Sequence, residues 1–534
     1  MKSYKSPEQV LLIFPPIAKP CEPPAGIAML SGALAAYNVE HTLLDANLEG
    51  MFSLLKKPFA PADTWTRRAS RNLSRNLNSL KSWNTYKNID TYKRAVLDVN
   101  RLLTMSGAER MRISLADYHD TRLSPVKSHD LRYAALHPAE NPFFEYFSSC
   151  LPLIIERDGT TVAGFSLNYL SQALCTFAMI GFLRREFPCI AIVLGGGLVT
   201  SWMTGGGSLA SGMHGEGLFS DLVDHCVAGP GEYQLLSLLH KDPPLKMHIT
   251  PCYNAFPVRD YLAPGPILPY RSSTGCYWGQ CSFCPERAEG TAYSQIPPAT
   301  AAAELRTLTN GTKPALIHLV DNAISPALME AIAKQPPGAP WYGFARITPH
   351  LKDPAFCMAL KQSGCVLLKL GLESGDQGVL DAMHKGIDLK TASPALQNLT
   401  KAGIATYVYL LFGTPAETRV EALHTLNFVV DHAEEIKFVN AAIFNLPINS
   451  PEAASLETAG FYEGDLSLYA AFQHPQGWDR RLVRQFLDTE FRRHPAIRPI
   501  VRNHPPIFTS NHAPFFACRG ISPSQGIFSR LLEI

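Results

Sequence analysis

Short apolar runs that end in polar or glycine-rich turns recur along the chain. Val10–Phe14 is a continuous apolar run stopped by two prolines, which is typical of a buried parallel strand. A helix is predicted over 23–37, with proline in its first turn and apolar residues at helical spacing, and a second strand is predicted over 40–45. Strand, helix and strand at this spacing form a βαβ unit, which begins a doubly wound parallel sheet.

The same alternation resumes after residue 160 and extends the predicted sheet. Further strands are predicted over 161–166, 190–194 and 225–228, with a helix over 171–186 between the first two. The last two strands run directly into glycines, which let the backbone approach a ligand closely. The first 250 residues are therefore predicted to form one Rossmann-like domain.

A basic insertion, residues 51–147, interrupts this sheet. It contains long polar helical stretches, and between positions 56 and 132 it has sixteen Lys and Arg residues against seven Asp and Glu. Basic residues interleaved with aromatics contact nucleic acid or an acidic substrate in some proteins, whereas the favoured interpretation here is a helical insertion with a solvated basic face. The interleaved aromatic residues are Trp65, Trp83, Tyr86 and Tyr92.

A second series of strands follows a proline-rich linker over 251–266. The predicted strands span 267–272, 315–320, 341–346, 366–373, 406–412 and 438–444, with helices such as 326–334 and 418–434 between them. Six strand–helix units predict a partial (β/α)6 barrel over 267–445. Residues 446–534 form a C-terminal region with a helix over 478–494, and we expect this region to cap the barrel mouth.

Composition adds only broad limits. The 534 residues are 46% hydrophobic with a net charge of +2, which suits a globular protein with a large core and says little about partners. Met1 to Gln9 is polar, and we see neither a signal peptide nor an apolar run of about 20 residues. We expect a reduced, cytoplasmic protein with no membrane partner and no nucleic-acid partner.

Three cysteines lie within nine residues at the end of the first barrel strand. Cys276, Cys281 and Cys284 have the spacing C-x4-C-x2-C. Three thiolates are one fewer than the four that complete a structural zinc site or a fully ligated iron–sulfur cluster. A zinc site would need a fourth ligand, for which Cys252 or His248 is the nearest. Three unrelated buried cysteines are a further alternative, whereas twelve sparse cysteines argue against a disulfide framework.

This motif resembles that of the radical S-adenosylmethionine (SAM) superfamily. In that family three cysteines hold a [4Fe–4S] cluster, whose open iron binds SAM and whose electron cleaves it to a deoxyadenosyl radical. The usual spacing is C-x3-C-x2-C, so this loop is one residue longer, and Gly279 can absorb the extra residue. Phe283, before the last cysteine, matches the family pattern. The resemblance also implies an electron donor such as flavodoxin or ferredoxin.

The resemblance extends to polar residues at the ends of the later barrel strands. The usual Gly-Gly-Glu is replaced by Asp321-Asn322, and the ordinary alternative for each polar residue is a helix N-cap. By resemblance, the SAM contacts are Asp321 and Asn322 for the methionine amino group, Glu373 and Ser374 for ribose and carboxylate, and Gly413, Thr414 and Pro415 beside adenine. Arg346 is a further candidate, because a guanidinium can bind the SAM carboxylate through two hydrogen bonds.

The N-terminal sheet resembles a cobalamin-binding domain. That family has D-x-H-x-x-G after the second strand, serine after the third and paired glycines after the fourth. Asn47 stands where histidine would ligate cobalt, and its amide cannot replace the imidazole. The alternative is a sheet that keeps the fold without binding cobalamin. By resemblance, the cobalamin contacts are Asp45, Asn47, Ser166, Gly195 and Gly196. Gly197 and the turn Gly231-Glu232 are predicted to line the same pocket, because bare backbone at strand ends lets a bulky ligand approach.

The combined resemblance covers roughly residues 8–50 and 160–445. It implies a cobalamin-dependent radical SAM enzyme that methylates an unactivated carbon or phosphorus centre of an unidentified small molecule or peptide. One SAM would methylate the cobalamin and another would supply the radical. Two alternatives stay open: a radical cyclase or rearrangement enzyme without methyl transfer or without cobalamin, and a non-catalytic iron–sulfur sensor or electron-transfer protein. The last would not need the motifs at the strand ends.

Overall fold

The computed structural model describes residues 9–57, 63–204, 217–244, 248–461, 463–506 and 512–517. Most of the polar segment interpreted above, residues 1–8, lies outside this range. Among the described helices, none combines the length and apolar character that crossing a bilayer requires.

The N-terminal sheet has five parallel strands, and their order along the sheet confirms the predicted doubly wound fold. The first strand lies between the second and the third, giving the order 2-1-3-4-5. Ligands of such sheets bind outside the carboxyl ends of the strands, where the order reverses. The strands are Val10–Ile13, His41–Leu44, Val162–Ser166, Ala191–Gly195 and His225–Val227. The helices are Ala25–Ala36, Leu170–Glu186, Gly197–Met203 and Glu232–Leu238.

The basic insertion is mostly helical, as predicted, with one small hairpin. Several of its arginines are paired with carboxylates, for example Arg68 with Asp98 at 2.9 Å. Tyr86 and Tyr92 are buried in the domain core, so neither ring is offered for base stacking. The helices are Ala46–Lys56, Thr64–Arg71, Leu73–Leu80, Trp83–Tyr86, Ile89–Ser106, Ser128–Leu136 and Phe144–Asp158, with a 3-10 turn at Pro138–Glu140 and hairpin strands Met111–Ile113 and Tyr118–Asp120.

The second domain is an open sheet of six parallel strands in sequence order, which is the predicted partial barrel. One boundary was wrong: the second strand continues through Asp321 and Asn322 instead of ending before them. The strands are Ile267–Tyr270, Leu316–Ile324, Trp341–Ala345, Cys365–Glu373, Ala405–Phe412 and Ile436–Ile443. The helices are Pro298–Thr312, Pro326–Lys334, Pro354–Gln362, Gln377–Ala382, Leu389–Lys401 and Arg419–Asp431, with a 3-10 turn at Pro349–Lys352.

The C-terminal region covers both ends of the barrel. His474 and Trp478 pack at the carboxyl ends of the strands, whereas His512 packs on Tyr407 and Phe438 near the amino ends, at 4.6 and 4.5 Å between ring centres. The predicted helix 478–494 is shorter and ends in a π-helical turn. The elements are strands Leu446–Pro447, Thr458–Phe461 and Tyr469–Phe472, helices Pro451–Ser455, Arg480–Phe486, Arg498–Arg502 and Pro514–Ala517, and the π turn Leu487–Phe491.

Candidate functional site

The three cysteines lie on a loop at the carboxyl end of the first barrel strand. A two-residue strand, Ser273–Thr274, pairs antiparallel with Ser294–Gln295 at the base of this loop, and a one-turn helix, Pro285–Ala288, follows it. Gly279 adopts φ +61°, the left-handed conformation that accommodates the extra residue. The two short strands therefore hold the ends of the cysteine loop together while glycine bends it.

Two cationic side chains, Arg346 and Lys385, lie near Cys281, which is the buried one of the three cysteines. The Nη1 atom of Arg346 lies 3.8 Å from Sγ of Cys281. Burial raises the pKa of Cys281, and the charges of Lys385 and Arg346 oppose this rise. Burial also raises the pKa of Cys284. Because metals bind the thiolate form, these two cations favour the state that a cluster requires.

The cysteine loop is anchored to the turn 384–386 of the barrel. Trp278 donates from Nε1 to the carbonyl oxygen of His384 at 2.9 Å, and its ring lies 4.5 Å from the guanidinium of Arg346. Gly386 has φ +65°, and a Cβ there would lie 2.0 Å from the indole of Trp278. Only glycine fits this contact. Sequence reasoning missed both Trp278 and this turn, which carry no local motif.

Glu373 ends its strand beside the cysteine loop and forms a buried ion pair. Its Oε1 lies 2.7 Å from Nζ of Lys385, and the two side chains are only 12% and 7% exposed. The ammonium of Lys385 also lies 5.5 Å from the ring centre of Phe283, and its carbonyl oxygen accepts a hydrogen bond from Arg346. The structure thus brings together four predicted residues: Cys281, Phe283, Arg346 and Glu373. Lys385, which the sequence did not single out, lies among them.

Two predicted SAM contacts are occupied by internal hydrogen bonds. Asp321 is buried, and its Oδ1 accepts from the hydroxyls of Ser272 and Ser273 at 2.8 and 2.6 Å. Burial raises the pKa of Asp321, while these hydrogen bonds lower it. Ser374 accepts from the N–H of Asp376 at 3.1 Å and so shapes the start of the next helix. In both cases the side chain organises the strand end.

The turn at Gly413 is held by a buried carboxyl group. Gly413 has φ +77°, and its N–H donates to Glu417. Trp478 donates from Nε1 to Oε2 of Glu417 at 3.1 Å, and His474 Nε2 bonds the carbonyl oxygen of Thr414 at 2.8 Å. Burial raises the pKa of Glu417 to about 8, so this acid is protonated at neutral pH. The predicted segment from Gly413 to Pro415 is therefore rigidly framed from the C-terminal region.

A cavity of about 380 Å³ lies between the sheet and the barrel mouth. Asn322 lines it, although Asp321 next to it does not. Gly275, the residue before the first cysteine, is also one of the lining residues, so the cavity reaches the start of the cysteine loop. Polar and glycine residues on the side of the sheet include Ser166, Asn168, Gly195, Gly196, Gly197, Gly231 and Glu232, and those on the barrel side include Arg271, Ser273, Thr274, Glu286, Glu289 and Thr291.

Part of the wall contributed by the sheet is glycine backbone, beside apolar side chains such as Phe165 and Val193. Gly196 has φ +113°, and a Cβ there would lie 2.4 Å from the carbonyl oxygen of Leu167. Asn168, which sequence reasoning did not select as a contact, accepts from the N–H of Gly197 at 2.9 Å. Across the cavity, Glu232 pairs with Arg271 of the barrel at 3.1 Å. The two domains therefore share one cleft.

Asp45 and Asn47 lie outside this cavity. Asp45 caps the following helix by accepting from the N–H of Leu48 at 2.9 Å, and it accepts from the hydroxyl of Tyr261 at 2.6 Å. Burial raises the pKa of Asp45 to about 6. Asn47 is 2% exposed, and its Oδ1 accepts from the N–H of Ala18 at 2.8 Å. Both side chains therefore have structural partners away from the cleft.

One possible fourth zinc ligand is engaged elsewhere, since His248 lies 3.1 Å from Glu304. The backbone N–H of Cys252 bonds the carbonyl oxygen of Ala28 at 2.9 Å, which places this residue against the helix Ala25–Ala36. Within the described ranges, no three His, Cys, Asp or Glu side chains, those of the three loop cysteines included, are grouped so that they could hold one metal ion.

Comparison with known proteins identifies the second domain. Residues 270–429 match the model of the Radical SAM superfamily. This segment is a radical SAM domain. An uncharacterized methyltransferase of Pyrococcus horikoshii, PH0819, is 24% identical over 275 residues, which are 47% of this chain and 56% of the relative. The bacteriochlorophyllide d C-12(1)-methyltransferase of Chlorobaculum tepidum is 27% identical over 32% of this chain and 38% of the relative. The chain thus spans about half or less of these relatives.

Solved structures extend the likeness to the N-terminal sheet. The radical SAM methyltransferase TsrM of Kitasatospora setae, with tryptophan and a SAM analogue bound, aligns over 92% of this chain and 89% of that one, with TM-score 0.53 and 14% identity. The cobalamin-dependent radical SAM enzyme OxsB, with aqua-cobalamin bound, aligns over 91% and 67%, with TM-score 0.54 and 10% identity. The radical SAM domain and the sheet before it therefore share their fold with these enzymes.

Proposed function

We propose that the chain is a cobalamin-dependent radical SAM enzyme that transfers a methyl group to an unactivated carbon or phosphorus centre of an unidentified substrate. The cleft shared by the two domains carries this proposal, because the glycine turns of the sheet face the radical SAM domain beside Cys276. Methyl transfer by this route needs methyl donor, substrate and radical in one water-poor cavity. The names of two curated relatives, both methyltransferases, support the reaction class.

The loop supplies the three thiolates that a [4Fe–4S] cluster with one open iron requires. Cys276, Cys281 and Cys284 would hold it, and Arg346 and Lys385 would stabilise the thiolate of Cys281. The cluster would supply the electron for reductive cleavage of SAM. Glu373 would accept hydrogen bonds from the ribose, at a strand end that is already ordered by its ion pair.

The cleft could receive part of a cobalamin. Its volume of about 380 Å³ is that of a site for a drug-sized ligand, so it would enclose only part of this larger cofactor, and Gly195 to Gly197 present a wall without side chains. Asn168 and Ser166 could bond the polar tail of the cofactor. Among the described lining residues there is no histidine, cysteine, methionine, lysine or tyrosine, so none of these side chains is available to the cobalt. Cobalamin would supply a methyl carrier that the protein positions and shields.

Anaerobic reconstitution tests the proposal. Protein loaded with iron, sulfide and hydroxocobalamin should convert SAM, under reduction, to 5′-deoxyadenosine and S-adenosylhomocysteine, as measured by mass spectrometry. Replacing Cys276, Cys281 and Cys284 with alanine should remove the brown absorbance and the cleavage, whereas Cys189→Ala, at an exposed cysteine elsewhere, should change neither.

A different experimental result would contradict each part of the proposal. Zinc in place of iron and sulfide would overturn the radical chemistry. Deoxyadenosine formed without any S-adenosylhomocysteine would instead indicate a radical enzyme that transfers no methyl group. Failure to bind hydroxocobalamin at roughly tens of micromolar would overturn the cobalamin assignment, since such a cleft should bind its cofactor at least that tightly.

A further inference from the structure

A second cavity, of about 580 Å³, lies where the basic insertion meets the C-terminal region. It has no lining residue in common with the cleft between the two domains, so the proposed function does not use it. Its walls come from the first turns of the helix Ile89–Ser106 and from residues 493–503. The charged side chains that line it are the cations Lys93, Arg493, Arg498 and Arg502 and the carboxylate Asp90.

The four cations of this cavity differ from several others in the basic insertion. Among the residues that the structure describes, none of the four lies within 4.0 Å of a carboxylate, whereas Arg492, next to Arg493, pairs with Asp488. Other cations of the insertion also have carboxylate partners, namely Lys57, Arg68, Arg101, Arg110 and Arg132. The positive charge at the cavity is therefore not neutralised by the described part of the chain.

The fold brings these like charges close together. Arg498 and Arg502 are the first and last residues of a short helix, Arg498–Arg502, and so lie one turn apart on one face. Like charges at this spacing destabilise a helix. Lys93 adds a third cation at the end of the same helix, where its ammonium donates to the carbonyl oxygen of Arg502. An anion held between these side chains would offset their repulsion.

The cavity is open to a ligand, and its backbone is held in place. The side chains of Arg493, Arg498 and Arg502 are exposed, so their guanidinium groups are accessible from the cavity. Pro495 and Pro499 line the same cavity, and the fixed φ of proline restricts the backbone that carries the arginines. Because the walls are fixed before a ligand arrives, little ordering entropy is lost on binding.

The cavity is remote from the cysteine loop. His504, two residues after Arg502, packs on Tyr407 and Phe438 with ring centres 5.5 and 5.6 Å apart. Both aromatic residues lie near the amino ends of their strands, Ala405–Phe412 and Ile436–Ile443. The cysteine loop follows the carboxyl end of the first strand, which is the opposite end of the barrel. A ligand in this cavity would therefore take no part in the radical chemistry.

We propose that this cavity binds the diphosphate group of a small molecule. A guanidinium forms two parallel hydrogen bonds with phosphate oxygens, and three arginines with one lysine provide donors for two linked phosphate groups. The excess of cations over the one carboxylate favours a group that carries more than one negative charge. This inference is independent of the proposed function.

Two other polyanions suit the cavity less well. Single-stranded nucleic acid is bound through aromatic side chains that stack on bases, and no aromatic side chain is among the described residues that line this cavity. An acidic peptide would spread its carboxylates along a groove, whereas these four cations converge on one concave site. A compact group with closely spaced charges is the better match.

An occupied cavity would tie two distant parts of the chain together. Lys93 and Arg502 are 409 positions apart in sequence, and each would contact the same anion. A ligand that binds only the folded chain stabilises it in proportion to occupancy. We therefore expect the site to stabilise the contact between the insertion and the C-terminal region.

Calorimetric titration of the reconstituted full-length chain with inorganic diphosphate tests the proposal. Diphosphate should bind with a Kd below about 0.1 mM, at least tenfold more tightly than inorganic phosphate, and more weakly as salt is added. Arg498→Gln and Arg502→Gln should each weaken binding at least fivefold, and both positions are exposed, so the variants should fold. Arg481→Gln, at an exposed arginine of the helix Arg480–Phe486, is the matched control and should bind as the unmodified chain does.

Thermal unfolding gives a second measurement on the same samples. Saturating diphosphate should raise the Tm of the unmodified chain by at least about 2 °C and leave that of the double variant Arg498→Gln, Arg502→Gln unchanged. An equal rise in both proteins, or a diphosphate Kd above about 1 mM in the unmodified chain, would overturn the proposal. Tighter binding of a polyglutamate peptide or of oligothymidylate than of diphosphate would also overturn it, and would assign the surface to an acidic peptide or to nucleic acid.

Discussion

Glu417 offers a quantitative test of the geometry around the turn at Gly413 to Pro415, which is predicted to lie beside the adenine of SAM. Its carboxyl group accepts hydrogen bonds from the N–H of Gly413 and from Trp478, and it is buried between the barrel and the C-terminal region. Burial raises its pKa from the usual 4.5 to about 8. At neutral pH the group is therefore protonated in the folded chain and ionised in the unfolded one.

The two pKa values set the size of the effect. Their difference, 8 − 4.5 = 3.5, corresponds to roughly 5 kcal/mol at about 1.4 kcal/mol per pKa unit. Between pH 4.5 and 8 the folded state keeps a proton that the unfolded state releases, so the free energy of unfolding falls as pH rises. Glu417→Gln keeps an acceptor oxygen for both donors and removes the titration. The variant should therefore gain stability relative to the unmodified chain across this range.

Thermal unfolding followed by circular dichroism from pH 5 to 9 measures this gain. The difference in Tm between Glu417→Gln and the unmodified chain should widen by about 1–3 °C per pH unit up to pH 8 and then stay constant. Glu434→Gln, at an exposed glutamate of the same domain, should give a curve parallel to the unmodified chain. Parallel curves for both variants would mean that Glu417 is ionised in the folded protein and would refute the reasoning.

Three further substitutions test the site. Glu373→Gln should weaken SAM binding about tenfold or more in calorimetric titration, because hydrogen bonds to a charged group contribute roughly 1.5–3 kcal/mol; recovery of affinity on adding Lys385→Met would reduce Glu373 to a partner of that lysine. Gly386→Ala should lower the iron content after reconstitution, because the new methyl would lie 2.0 Å from the indole ring packed on this turn. Gly159→Ala, at a similar φ of +65° but with nothing within 4 Å, is the matched control, and equal iron in both would contradict the role of the turn. Asn47→His should leave the visible spectrum of bound cobalamin unchanged, because the side chain is buried outside the cleft; an altered cobalt spectrum would place position 47 at the metal.

The sequence alone determined the succession of strands and helices. A helix was predicted over 326–334 and is observed at Pro326–Lys334, and a strand over 341–346 is observed at Trp341–Ala345. These signals are local: apolar runs make buried strands, proline starts helices, and polar residues follow strand ends. Because parallel strands align their carboxyl ends, the same pattern also predicted that the cysteine loop and Glu373 share one edge.

The sequence could not determine which polar residues at that edge face the cleft. Asp321 and Asn322 are neighbours, yet alternation along the strand directs Asn322 into the cavity and leaves Asp321 to bond Ser272 and Ser273. Asn47 follows a strand as the family pattern requires, but it meets the N–H of Ala18. In these cases the partner of a side chain was decided by a segment distant in sequence.

Only the tertiary structure revealed the charged groups that organise the site. Lys385 meets Glu373 because the turn 384–386 packs on Trp278, and Glu22 meets His318 because the two domains close on each other. Such pairs join residues up to 296 positions apart, and no local period or propensity encodes them. Burial then sets the protonation of Glu417 and Lys369, because the cost of a charge depends on the surroundings that the complete fold supplies.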